Sequence, residues 1–394
     1  MEPFIVFGIV LALALNFVNG LNDASHSIAT VVATKALSPM KAILLTAVCN
    51  MFGPFVFTTA VAVTIGTGII YPGSLTPLSI IVAMGSAFLL VVVATRAGMP
   101  VSSSHAMVGG LLGAGIGVAG FSAVLLPGGE VLAGIVISGM LGAIAGAILL
   151  GAIAASLGGD VKQAFLLGAI FGAAVIIPCL MIVGVLRISG LVAIVLFIFI
   201  SPLVGMAAAF LFDVLISHLF RYSRQNRMRR IFQPLHAFAS LFQAAGHGAN
   251  DGQHAVGLIT ALLVSAGILS SFEVPTWVIL TSAIAIGFGT CFGGWQVVDR
   301  MAKKITKIRP YQGFCAATTA SSILAGVTEY GVPVSSTHVI SGAIIGVGAT
   351  RGKNAVQWDV VREMMTAWVI TIPVALVIAC GGYYLIAALF PSFA

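Results

Sequence analysis

The chain has 394 residues, of which 59% are hydrophobic and only 7% charged, a composition that excludes a water-solvated surface and makes the bilayer the solvent. Its net charge of +7 does not point to nucleic acid, because the cations gather in short loops between apolar stretches: Arg221, Arg224, Arg227, Arg229 and Arg230, then Arg300, Lys303, Lys304, Lys307 and Arg309. The positive-inside rule accounts for both loops and places them in the cytoplasm.

Apolar stretches of about 20 residues or more, enough to cross a hydrocarbon core about 30 Å thick, recur from Phe4 to Leu389. Runs such as 80–94 and 191–200 are apolar on every face, which fits helices and not the alternating strands of a barrel. An all-α, polytopic membrane protein is expected. The first segment, 3–34, is interrupted by Asn16, Asn19, Asn22 and Asp23 and lacks a basic start, so it is expected to remain as a span and not be cleaved. Lys35 and Lys41 put its end inside, and 42–70 returns. Residues 78–120 form either a re-entrant hairpin or two crossings. Spans at 131–156 and 164–186 follow, and 191–212 reaches the inner face. After the arginine loop, 232–270 leads out, 277–298 returns to the second basic loop, and 312–350 is a second hairpin or pair of crossings. Arg351 and Lys353 lie inside before the last span, 368–389, so both termini are expected outside an inner membrane. Cys49, Cys179, Cys291, Cys315 and Cys380 lack metal-ligand or pairing spacing and are expected to be buried small hydrophobes.

An internal repeat organises these segments. Gly20-Leu21-Asn22-Asp23-Ala24-Ser25-His26 returns as Gly248-Ala249-Asn250-Asp251-Gly252-Gln253-His254, displaced by 228 positions from Asn22 to Asn250. Thr95-Arg96-Ala97-Gly98-Met99-Pro100-Val101-Ser102-Ser103-Ser104-His105 returns without a gap as Thr328-Glu329-Tyr330-Gly331-Val332-Pro333-Val334-Ser335-Ser336-Thr337-His338, displaced by 233 from Pro100 to Pro333. With the charge rule, the two halves run in opposite directions, and inverted repeats with helices broken near mid-membrane are a recurrent plan of secondary transporters. The expected organisation is a first repeat core at 1–130, two inserted spans at 131–187, the last span of the first half at 188–220, the basic loop at 221–231 and the inverted second repeat at 232–394.

Asp23 and Asp251 lie deep in apolar segments, where an unpaired carboxylate costs at least about 2.5 kcal/mol. With Asn22 and Asn250 and the carbonyls of an unwound helix, they suit an oxygen cage for a coupling cation, such as Na⁺ at Asp23 and Asp251. The bland alternative is that each pair ties helix ends together. Ser102, Ser103 and Ser104, and Ser335, Ser336 and Thr337, offer hydroxyl donors where Pro100 and Pro333 can begin half-helices, whose positive ends suit a tetrahedral oxyanion. Small hydroxylated residues also permit close helix packing. His26, His105, His247, His254 and His338 crowd the motifs as candidate anion donors, proton carriers or structural props. Arg96 and Glu329, at equivalent places with opposite charge, either pair or each gate one side, and pairing is the expectation because most intramembrane charges find a partner.

At these motifs the chain resembles the inorganic phosphate transporter (PiT) family, whose mark is a duplicated Gly-x-Asn-Asp signature, here Gly20 to Asp23 and Gly248 to Asp251. Residues 19–39 and 247–253, the two Gly-x-Pro-Val-Ser-Ser-x-His stretches, Ile200-Ser201-Pro202 and Ile370-Thr371-Ile372-Pro373 are also similar to family members. The resemblance implies import of inorganic phosphate by symport with Na⁺ or H⁺ and no further cofactor. Carried over by position, Asn22, Asp23, Asn250 and Asp251 would serve the cation, and Ser103, Ser104, Ser336, Thr337 and Gln253 the anion. His26 and His254 depart from the Asn or Lys that many members carry after the signature, and together with His105 and His338 they are further candidates for proton or anion contact. A sulfate permease of the same family and an anion channel are the rival transport readings. An intramembrane hydrolase is disfavoured, because the Ser-x-His arrangement is duplicated and no nucleophile elbow is present, so no enzyme is expected. The implied partners are phosphate, the coupling ion and the lipid bilayer, without nucleic acid; a homodimer is compatible, though no interface is legible.

Overall fold

The computed structural model describes residues 2–99, 101–156, 161–186, 188, 190–293 and 306–391, so Pro100, the His26 side chain and Arg300, Lys303 and Lys304 lie outside the described residues. The chain is built of α1 (Pro3–Ala33), α2 (Pro39–Phe52), α3 (Ala60–Thr67), α4 (Pro77–Arg96), α5 (Ser103–Ala119), α6 (Gly129–Ser156) and α7 (Val161–Ile182). There follow α8 (Gly190–Leu219), α9 (Gln225–Ser265), α10 (Thr276–Phe292), α11 (Pro310–Glu329), α12 (Ser336–Ala349) and α13 (Trp358–Leu389). Proline opens α1, α2, α4 and α11, where its missing N–H costs no helical bond. Among the described residues, seven helices are long and apolar enough to cross a membrane, and eight if the bent pair α2 and α3 counts as one span. The protein is a multi-pass, all-helical membrane protein.

The hairpins α4–α5 and α11–α12 turn in the same way. Gly98 (φ 65°) and Gly331 (φ 66°) follow the helix ends in the left-handed region that a glycine enters without steric cost. In both, backbone bonds close the turn, from Gly98 N to Thr95 O and Met99 N to Ala94 O, and from Gly331 N to Thr328 O and Val332 N to Val327 O, each 2.9–3.0 Å. The returning helices pack equivalently too. On α5, a Cβ at Gly109 or Gly113 would lie 2.5 or 2.1 Å from the carbonyls of Ile372 or Leu376 on α13; on α12, a Cβ at Gly342 or Gly346 would lie 2.1 or 2.2 Å from those of Pro202 or Met206 on α8. Each half thus lends its hairpin a small-residue face for a helix of the other half. The pair α6–α7 packs on itself through Gly142, Gly146, Gly168 and Gly172, where an added Cβ would lie 2.0–2.4 Å from a facing carbonyl.

Three expectations are corrected. The segment 42–70 is not one straight span: it breaks after α2 and resumes as α3 at a bend of 74°. Pro54 withholds an N–H there, and the backbone of α9 passes so close that a Cβ on Gly53 would meet Ala245 O at 2.3 Å. Arg96 and Glu329 do not pair, because both sit exposed on the outer sides of their helix ends, while Thr95 and Thr328, one residue earlier, turn inward. Of the cysteines only Cys315 is buried; Cys179 and Cys291 are exposed on outward helix faces.

Candidate functional site

Asp23 and Asp251 each lie about two-thirds of the way along their helices, α1 and α9. The signature glycines explain how those helices are seated. A Cβ on Gly20 would stand 2.1 Å from Ile286 O of α10, and one on Gly248 2.0 Å from Asn50 O of α2. Gly20→Ala and Gly248→Ala are each expected to destabilise the protein by about 1–3 kcal/mol. Thermal unfolding in detergent would measure this, with Gly73→Ala as the neutral control because nothing stands within 4 Å of its added Cβ.

The starts of α5 and α12 arrive at the same place. Ser102 and Ser335 are N-caps, accepting from the N–H groups of His105 and His338 at 3.3 and 3.4 Å. α12 begins at Ser336, three residues after Pro333. The next hydroxyls reach the carboxylates: the single proton of Ser103 is shared between Asn19 Oδ1 (2.7 Å) and Asp23 Oδ2 (3.1 Å), Ser336 donates to Asp251 Oδ2 (3.0 Å), and Thr337 crosses to Asp23 Oδ1 (3.2 Å). Asn22 donates to Asp23 Oδ1 (2.8 Å) and accepts from Thr95, while Asn250 donates to Thr328 (2.9 Å). The two halves therefore build one site, with helix N-termini and their orphan first-turn amides on one side and carboxylates on the other.

Between the carboxylates stands His247. Its Nε2 is 3.2 Å from Asp251 Oδ2 and 3.7 Å from Asp23 Oδ2, and Asp23, His247 and Asp251 bring ligand atoms within 4.8 Å of one another. Its Nδ1 lies 2.8 Å from Asn50 Oδ1, and the amide nitrogen of Asn50 is committed to Thr290 at 2.8 Å. Nδ1 therefore donates to Asn50, and Nε2 faces the carboxylates favourably only when it too carries a proton. The chemistry of the set fits either a proton on the imidazole or a small cation held by the carboxylate and amide oxygens.

The two copies are not equally engaged. Both oxygens of Asp23 accept hydrogen bonds, whereas Asp251 Oδ1 and Asn250 Oδ1 are buried with no hydrogen-bond partner among the described residues, as are Ser104 Oγ, His105 Nδ1 and His254 Nε2. Buried polar atoms without partners cost about 1–3 kcal/mol each, so each of these has bonding capacity left for a ligand or a water molecule. The His105 and His338 rings meet edge-on, with centroids 4.6 Å apart, and His338 rests on Trp368 at 3.9 Å.

Gln253 stands apart from this arrangement. Its amide donates to Thr58 O (2.7 Å) and accepts from Ala62 N (3.1 Å), holding the break between α2 and α3. Asn19, Asn50, Thr95, Thr290 and Thr328 support the site without having been assigned to it from the sequence. The only signal at Asn50 is a lone amide in an apolar run.

The phosphate transporter family model matches residues 19–166 and 220–379. A Rhizobium meliloti (strain 1021) protein described as a "Probable low-affinity inorganic phosphate transporter" is 37% identical over 97% of this chain and 96% of its own length. A Bacillus subtilis (strain 168) protein of the same description is 31% identical, with 97% of each chain covered. A solved structure titled "The sodium-dependent phosphate transporter" superposes with a TM-score of 0.69 and 24% identity, covering 98% of this chain and 100% of that one.

Proposed function

Since the chain belongs to the phosphate transporter family, we propose that it imports inorganic phosphate by symport with a cation and that the cation is a proton. The observation that carries this reading is His247 between Asp23 and Asp251, facing the hydroxylated starts of α5 and α12. The hydroxyls Ser103, Ser104, Ser336 and Thr337 and the first-turn amides would hold the oxyanion, while the aspartates and His247 hold the positive charge that travels with it. Ser102 and Ser335 act as caps that aim those amides, and Gln253 as a brace for the α2–α3 break. The anion shares its site with carboxylates, and a carboxylate can accept a hydrogen bond from a protonated phosphate but finds no proton on sulfate. That favours phosphate over sulfate.

Sodium is the second reading. The neighbour's description supports it, as do the unpartnered oxygens Asn250 Oδ1 and Asp251 Oδ1, since oxygen ligands suit a hard cation. The remaining features follow from charge and repetition: halves of opposite orientation, rocking around the shared site, with both basic loops in the cytoplasm and both termini outside.

The substrate is tested with purified protein in liposomes. Labelled phosphate is expected to enter, with unlabelled phosphate competing at least about tenfold better than sulfate, since a buried carboxylate left facing an anion without a proton between them costs more than 1.4 kcal/mol. Sulfate competing as well as phosphate would move the chain to the sulfate permeases.

A further inference from the structure

Where the ends of α1 and α8 meet the starts of α9 and α11, a cavity of about 640 Å³ is lined by Lys35, Arg229 and Arg309 with Ser217, Gln225 and Asn226. The three cations come from separate elements, and none forms an ion pair with another described residue. The nearby carboxylate of Asp213 accepts at Oδ2 from Thr350 at 2.6 Å and Gln312 at 3.4 Å and lies within the field of Arg309 without forming a salt bridge to it. Lys35 is held at φ 57°, the one positive φ outside glycine among the described residues. This left-handed residue closes the end of α1, with Lys35 N bonded to Val32 O and Ala36 N to Val31 O, and so fixes where the Lys35 side chain leaves the helix.

The cavity floor leads inward. Thr34, also in its lining, has its hydroxyl 3.0 Å from His236 Nδ1, and His236 Nε2 is 3.1 Å from the Thr30 hydroxyl. The buried ring sits in a slot left by Gly313, where a Cβ would be 2.2 Å from it. From there a polar face climbs α9 through Ser240 and Gln243 to His247, and α1 through Ser27 to Asp23, at helical spacings of three and four, all buried. Ser240 Oγ and Gln243 Oε1 have no hydrogen-bond partner among the described residues. A buried polar seam in a membrane protein marks an ion pathway by default.

We infer that the cavity is a second site for a phosphate-type oxyanion, at the inner end of a passage that His236 latches shut. The inference rests on the reading of the chain as a phosphate carrier. The occupant is either free phosphate leaving the central site or the phosphate of an anionic lipid headgroup, and the lining suits both: multiple cationic donors with amide and hydroxyl groups around them.

The test uses the intact protein in nanodiscs of phosphatidylcholine alone or with added phosphatidylglycerol. Inorganic phosphate binding is measured calorimetrically and lipid retention by native mass spectrometry. The variant combines Lys35→Asn, which tolerates the left-handed backbone without the charge, with Arg229→Gln and Arg309→Gln; Arg221, Arg224, Arg227 and Arg230 remain to fix orientation. The wild type is expected to bind phosphate in two events in phosphatidylcholine, and the variant to weaken only the second, by at least about tenfold. Retention of phosphatidylglycerol by the wild type and not the variant, without a second phosphate event, assigns the site to a headgroup. Identical binding and retention in both proteins would overturn the inference. Absence of even the first event in the wild type would instead strike the reading of the central site.

Discussion

Asp251→Asn is expected to lower phosphate uptake at least about 100-fold, a loss equivalent to nearly 3 kcal/mol of coupling, and to cost less stability than Asp23→Asn, because His247 keeps Asp23 as a facing carboxylate. Among the described residues, only Oδ2 of Asp251 is engaged, by Ser336 and His247, and its Oδ1 has no hydrogen-bond partner. An asparagine can keep the bond from Ser336 but carries no charge to balance the travelling cation. Asp23→Asn should cost as much transport and more stability, because the carboxylate of Asp23 also accepts from Asn22, Ser103 and Thr337. A carboxamide can serve as acceptor at one end only, leaving a buried donor unmet at about 1–3 kcal/mol. Uptake and thermal unfolding measured together separate the two roles; equal stability loss in both variants would show that the aspartates serve the fold alike.

Replacing His247 by glutamine tests the charge between them. Breaking a buried ion pair by removing one partner typically costs about 3–5 kcal/mol, because the other partner stays buried and uncompensated. His247→Gln is therefore expected to destabilise the protein by that order and to abolish net uptake. Adding Asp251→Asn to it should restore much of the stability, by removing one of the facing carboxylates, without restoring transport. A double variant no more stable than His247→Gln alone would mean that His247 acts through packing and through Asn50, not through charge.

Much of this site was legible because the sequence states it twice. Gly-x-Asn-Asp and Ser-x-His recur at nearly equal displacements, and the structure joins Ser103 to Asp23 and Ser336 to Asp251 as matching bonds. The helices were legible too, since a lipid-facing segment must be apolar throughout. The α2–α3 break was not, because Gly53 and Pro54 interrupt a run whose composition stays apolar, and its cause lies in α9, nearly two hundred residues away. Asn50 and Thr290 were invisible for the same reason: each is one polar residue on an apolar helix, and its meaning comes from His247 and Gly20 across the fold. Gln253, within the second signature, was assigned to the anion by its position, yet its amide is taken up by Thr58 and Ala62. Position in a motif places a residue near the site without saying which way its side chain is held.

The most direct test is labelled phosphate uptake into liposomes under an inward proton gradient without sodium, and under an inward sodium gradient at equal pH, with wild type, Asp23→Asn and Asp251→Asn in parallel. Proton-driven accumulation in the wild type that both substitutions abolish is the predicted result. Accumulation only with sodium would move the coupling ion to the oxygens of Asn250 and Asp251, and uptake indifferent to both gradients or to both aspartates would contradict the symport account.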